Sequence, residues 1–149
     1  MLEFFRNLFS YDKWAVSRSL ETIAPEIESK AKMLLSHILL AEKIWLLRLK
    51  GEDSSVIPTF KEFPIDECSK MADELHRGYV EYIDSLSESD LAGLITYKNT
   101  KGVEFRTPVS EILTHVGLHG VYHRGQIAWL VRESGGTAIN TDFITFARL

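Results

Sequence analysis

Apolar residues recur at helical spacing in four separate stretches of this chain, each long enough to cross a small domain. The first runs from about Leu2 to Ile23, with Phe5, Leu8, Phe9, Trp14, Ala15 and Leu20 offering apolar contacts. Pro25 punctuates the chain and suits the first turn of the next helix, expected from about Glu26 to Lys50. Leu34, Ile38, Ala41, Ile44, Trp45 and Leu49 mark its stripe, and Gly51 follows where a terminating glycine can take positive φ. Ser54, Ser55, Pro58 and Pro64 break the pattern from Glu52 to Pro64, which reads as a loop over the bundle end. The third helix is expected from about Ile65 to Leu86, with Met71, Leu75, Tyr79, Tyr82, Ile83 and Leu86 facing inward. The fourth starts near Thr107-Pro108, an N-cap candidate before a first-turn proline, and ends at Gly135-Gly136.

Between the third and fourth helices the period changes. Ile95 and Tyr97, then Val103 and Phe105, alternate with polar residues around Asn99-Thr100-Lys101-Gly102, the pattern of a short hairpin. The expected fold is therefore all-α: an up-and-down four-helix bundle with a small β-hairpin between helices 3 and 4. The tail from Asn140 to Leu149 has room for one more short helix. At 149 residues the chain fits one domain, 1–149.

Composition removes several classes of function. A net charge of -4, with Lys and Arg scattered, gives no basic face for nucleic acid. No apolar run approaches the ~20 residues of a membrane span, and the first residues lack the features of a secretion signal. A lone cysteine, Cys68, excludes an internal disulfide framework and fits a reducing compartment, so a cytoplasmic location is expected.

The chemistry concentrates in the fourth helix, where His115, His119 and His123 stand four residues apart. At 3.6 residues per turn the stripe drifts by roughly 40° per step. With His115 at zero, His119 and His123 fall at about 40° and 80°, among Ile112, Val116, Ile127 and Leu130. His115 sits on the flank. A buried neutral imidazole without a partner costs roughly 1–3 kcal/mol, and two such rings one turn apart repel when charged. A metal ion resolves both difficulties, and paired histidines at this spacing are a geometry that zinc sites use.

A third ligand is expected from a neighbouring helix. His37 lies beside Leu34, Ile38, Ala41 and Ile44, whereas His76 sits in the polar run Asp73-Glu74-Leu75-His76-Arg77 and reads as solvated. Three imidazoles from two helices leave positions open for water or substrate. His115 could orient His119, contact substrate or merely edge the stripe. Glu42 is a candidate proton acceptor near the metal but reads first as a surface or capping charge, and Arg124, near 180° on the wheel, reads as the partner of a carboxylate on another helix or a second subunit rather than of substrate. Tyr122 and Trp129 read as helix-packing residues that could otherwise wall a pocket. A carboxylate-bridged di-iron bundle is excluded, because it needs Glu-x-x-His on two helices and the chain contains none.

The helix from Ile112 to Ile127, with its string His119-Gly120-Val121-Tyr122-His123-Arg124-Gly125-Gln126, resembles the signature helix of the DinB/YfiT-like metal-dependent family. Tyr11-Asp12-Lys13-Trp14-Ala15 resembles the family's first-helix motif, Leu35 to Leu49 its second helix, and Thr141-Asp142-Phe143-Ile144 its C-terminal motif. By this resemblance the metal ligands map to His37, His119 and His123. It further implies a homodimer and a bound nickel, zinc or iron ion; a small-molecule substrate is expected, but the resemblance does not say which. Relatives include transferases and isomerases that use a low-molecular-weight thiol. The leading expectation is thus thiol-dependent transfer or isomerisation. A metal-dependent hydrolase and a metal-holding bundle without turnover are the alternatives.

Overall fold

The computed structural model describes residues 1–23 and 29–149. Its elements are α1 (Leu2–Thr22), α2 (Ser29–Leu49), α3 (Ile65–Asp84), a 3-10 turn (Glu88–Ala92), β1 (Leu94–Lys98), β2 (Glu104–Pro108), α4 (Val109–Glu133) and α5 (Phe143–Phe146). The four long helices and the intervening hairpin stand where the periodicity placed them. The expected helix start at Glu26, with Pro25 in its first turn, lies outside the described residues.

The interior is built from the expected stripes. Phe5, Phe9, Val16, Leu35, Ile38, Leu39, Leu75, Ile83, Ile112, Leu113 and Ile127 are all buried in one cluster. Each such side chain contributes about 1.5–3 kcal/mol by leaving water. Phe9 of α1 stacks on Tyr79 of α3 at 4.3 Å, and the Tyr79 hydroxyl donates to the Glu42 carbonyl of α2 at 2.8 Å.

The directions of the helices are set by cross-helix contacts. Arg6 meets Asp84 and Lys13 meets Asp73, so α1 and α3 are antiparallel. Ser36 lies against Cys68 and Leu46 against Gly78, so α2 and α3 run parallel. Trp45 touches His115 and His37 touches His123, making α2 and α4 antiparallel. Leu8 packs on Gly117 and Asp12 on Arg124, which makes α1 and α4 parallel. In chain order the helices therefore run up, down, down, up, with α2 and α3 side by side in the same sense.

Parallel neighbours need a connection as long as the bundle, and residues 50–64 supply it. The expectation of a loop over the bundle end is corrected here: the segment runs back along α2. It leaves near the hairpin and passes His37, where Phe60 lies. The Phe63 N–H then donates to the Ser36 hydroxyl at 3.0 Å.

The hairpin pairs Leu94 with Pro108 through Lys98 with Glu104. Asn99 Oδ1 accepts from the N–H groups of Lys101 and Val103, and Gly102 takes φ +77°, the left-handed turn position that glycine tolerates. Two strands alone are marginal, and this pair leans on α2 through Tyr97 against Trp45 at 4.9 Å. Thr107 is not an N-cap. It pairs with Ile95 in the sheet, and α4 begins at Val109 with no side-chain cap.

Candidate metal centre

His119 and His123 project from α4 toward α2, whose His37 faces them. One ring nitrogen from each of the three lies within 4.8 Å of the other two. The ring centroids are 5.0 Å apart for His37–His119, 4.8 Å for His37–His123 and 4.5 Å for His119–His123. All three are half-buried. Burial, then the neighbouring imidazoles His123, His37 and His115, lowers the His119 pKa to about 4. Burial lowers His123 as well, against the opposing effect of its bond to Gln126. Rings held neutral in this way keep a lone pair for coordination at physiological pH. The donor set, three imidazoles and among the described residues no thiolate or carboxylate, fits a divalent transition ion with open positions.

Two of the rings carry a second bond on the far side. His37 Nδ1 lies 2.7 Å from the Thr59 carbonyl, and His123 Nδ1 lies 2.7 Å from Gln126 Oε1. Phe60 stacks flat on His37, 4.1 Å away and 1° from parallel. Sequence reasoning missed Thr59 and Phe60, because nothing in a loop's composition says which helix it will lie along. Gln126 had a visible signal in its three-residue spacing from His123.

The other candidates fall elsewhere. His115 is exposed and outside the cluster, with its ring against Trp45 at 5.2 Å and 5.7 Å from His119. His76 is not solvated as expected: it is half-buried beside Phe9 and Asp12, and burial lowers its pKa. Tyr122 and Trp129 do not pack within the bundle, being 65% and 59% exposed, although the Tyr122 ring lies 5.0 Å from His123. The cleft of about 640 Å³ beside Arg48, Ile57 and Tyr97 includes none of the three histidines.

Arg124 pairs with Asp12 of α1, as the reading of a carboxylate on another helix anticipated. Glu42 is a correction. It is buried rather than superficial, close enough to Asp12 and Arg124 to feel both charges, and its Oε1 has no hydrogen-bond partner among the described residues. Gly120 leaves room for this pair: a Cβ there would lie 2.8 Å from Arg124 Nη1 and 2.9 Å from Asp12 Oδ1. The motifs at the two chain ends meet nearby. The Tyr11 hydroxyl donates to the Thr141 carbonyl at 2.8 Å, and Tyr11 and Trp14 contact Phe143 and Phe146 of α5.

Comparison with known proteins agrees with this architecture. The DinB family profile matches residues 7–149. Protein DinB from Bacillus subtilis (strain 168) is 28% identical over 160 residues, covering 96% of this chain and 93% of that protein. The crystal structure of a DinB-like protein from Bacillus cereus ATCC 10987 has the same fold, with a TM-score of 0.68 at 19% identity. The likeness covers 93% of this chain and 95% of that one. Among the described residues no helix is long and apolar enough to cross a membrane.

Proposed function

The chain belongs to the DinB family, and on that premise we propose that it is a metal-dependent enzyme of thiol transfer or isomerisation. In this reading His37, His119 and His123 hold one divalent ion, nickel, zinc or iron. The observation that carries it is the convergence of three imidazole nitrogens from two helices within 4.8 Å. A divalent ion in that position would lower the pKa of a thiol or a water placed against it.

The chain's own residues define the rest. His119, kept neutral by burial, offers its lone pair at physiological pH. Phe60 covers one face of His37, and the exposed Tyr122 stands beside His123. Among the described residues the cluster contains no carboxylate, and the buried acid Asp12 is committed to Arg124. A hydrolase would use such a group as general base. A thiolate is already a nucleophile and needs no such group, which is why thiol transfer is the reading put first. The thiolate sulfur bonds to an electrophilic carbon of the substrate, and the leaving group departs with the displaced electron pair.

Elemental analysis of unheated, tag-free protein is expected to find about one divalent ion per chain, and none in His37→Ala. Stoichiometric metal in that variant removes His37 from the site. Metal-loaded protein mixed with a small thiol and monochlorobimane is expected to consume free thiol faster than His119→Ala does. Equal rates with every thiol tried leave a metal-holding bundle without turnover.

We also propose that the chain pairs with a second copy. Leu118, Val121, Tyr122 and Trp129 form an exposed apolar stripe along α4, with Phe4 of α1 exposed as well. Leu118→Glu combined with Val121→Glu is expected to convert a dimer to a monomer in sedimentation velocity. An unchanged sedimentation coefficient rejects this face.

A further inference from the structure

We propose that Gln126 is the positioning residue that fixes His123 in the Nδ1–H tautomer, so that Nε2 is the nitrogen turned toward His37 and His119. The proposal rests on the metal reading for its purpose, but not for its geometry.

A neutral imidazole carries one proton and can offer only its other nitrogen as a donor atom. At His37 the choice is forced. Its Nδ1 lies 2.7 Å from the Thr59 carbonyl oxygen, which can only accept, so Nδ1 holds the proton and Nε2 the lone pair. At His123 the partner is a side-chain amide, which can present oxygen or nitrogen. With Oε1 toward Nδ1 at 2.7 Å, His123 donates and takes the same tautomer as His37. With the amide turned over, Nδ1 would accept and Nε2 would carry the proton, leaving that nitrogen unable to ligate. Gln126 is thus the side-chain counterpart of the Thr59 carbonyl, reached from the same helix because residues three apart share a face. The two acceptors differ in origin. One comes with the path of the 50–64 segment, and the other travels with the ligand on α4.

Partners of this kind fix ring orientation and raise ligand basicity. Gln126→Leu removes the acceptor, whereas Gln126→Glu retains one that can only accept.

Long-range proton–nitrogen NMR of the imidazoles in metal-free protein, at mildly alkaline pH, reads the tautomers directly. Both His37 and His123 are expected as Nδ1–H in the wild type. In Gln126→Leu the His123 ring is expected to lose that preference while His37 keeps it, a selective change that general loosening would not produce. Titration with cobalt(II) is expected to show about 10–100-fold weaker binding in Gln126→Leu and retained binding in Gln126→Glu. A wild-type His123 protonated on Nε2 overturns the proposal without need of any variant. So does a Gln126→Leu protein with unchanged tautomer and unchanged affinity. If the wild type takes up no cobalt, the metal reading fails, and the ring tautomers still decide what Gln126 does.

Discussion

Replacing Arg124 with Ala is expected to destabilise the fold by about 3–5 kcal/mol, the cost of stranding a buried charge. Arg124 is 2% exposed and donates through Nη1 to Asp12, itself 5% exposed, while its guanidinium lies 5.4 Å from the centre of the Tyr11 ring. Without the cation Asp12 keeps its place beside Glu42, with no positive charge to offset the loss of water around either carboxyl. The stranded charge must then be neutralised, or the helices must part to admit water. The pair itself need not be a net stabiliser, since an apolar pair of similar volume often does as well. Arg124→Met combined with Asp12→Leu is therefore expected to recover much of the loss. Urea denaturation of the two variants and the wild type measures the difference. A loss under about 1 kcal/mol for Arg124→Ala would mean that the pair is not desolvated as the packing indicates.

Replacing Glu42 with Gln is expected to do the opposite and stabilise the protein at neutral pH. Burial, with the nearby charge of Asp12 adding to it, raises the Glu42 carboxyl well above its ordinary 4.5, and Arg124 only partly offsets this. A carboxyl whose pKa rises on folding makes the folded state bind the extra proton. Its favourable share is complete below the ordinary value and is lost as pH climbs through the raised one. Gln carries no proton to lose, and its amide has an N–H to offer Asp12. The variant should match the wild type in acid. Above the ordinary carboxyl range it should gain up to about 1.4 kcal/mol per pH unit, levelling off at the raised pKa. Urea curves across a pH series test this. A difference that does not grow with pH would show that Glu42 titrates alike in the folded and unfolded chain.

Both predictions concern residues whose surroundings the amino-acid order understates. Asp12 lies in a run with Tyr11, Lys13 and Trp14, and Glu42 between Ala41 and Lys43. Either context is compatible with a solvent-facing position. Their burial follows from helix packing: at Gly120 the missing side chain admits the Arg124 guanidinium and Asp12 of α1. The same holds for His76: its neighbours in sequence are polar, while its neighbours in space include Phe9 on α1. The three ligand candidates were legible because a helix face can be computed from one chain segment. The i and i+4 spacing of His119 and His123 set their side of α4, and the apolar company of His37 set its side of α2.

The residue order by itself determined four amphipathic helices, the hairpin between the last two, and which faces turn inward. All of these follow from hydrogen bonds and side-chain periods that span only a few residues. Only the tertiary structure decided that α2 and α3 run parallel and that residues 50–64 return along α2. It alone laid Thr59 and Phe60 on His37 and gathered Asp12, Glu42 and Arg124 in one dry place. Those outcomes depend on which faces fit together across distances of tens of residues. A local pattern fixes the orientation of a side chain about its own helix axis, but it carries no information about what the opposing helix will bring.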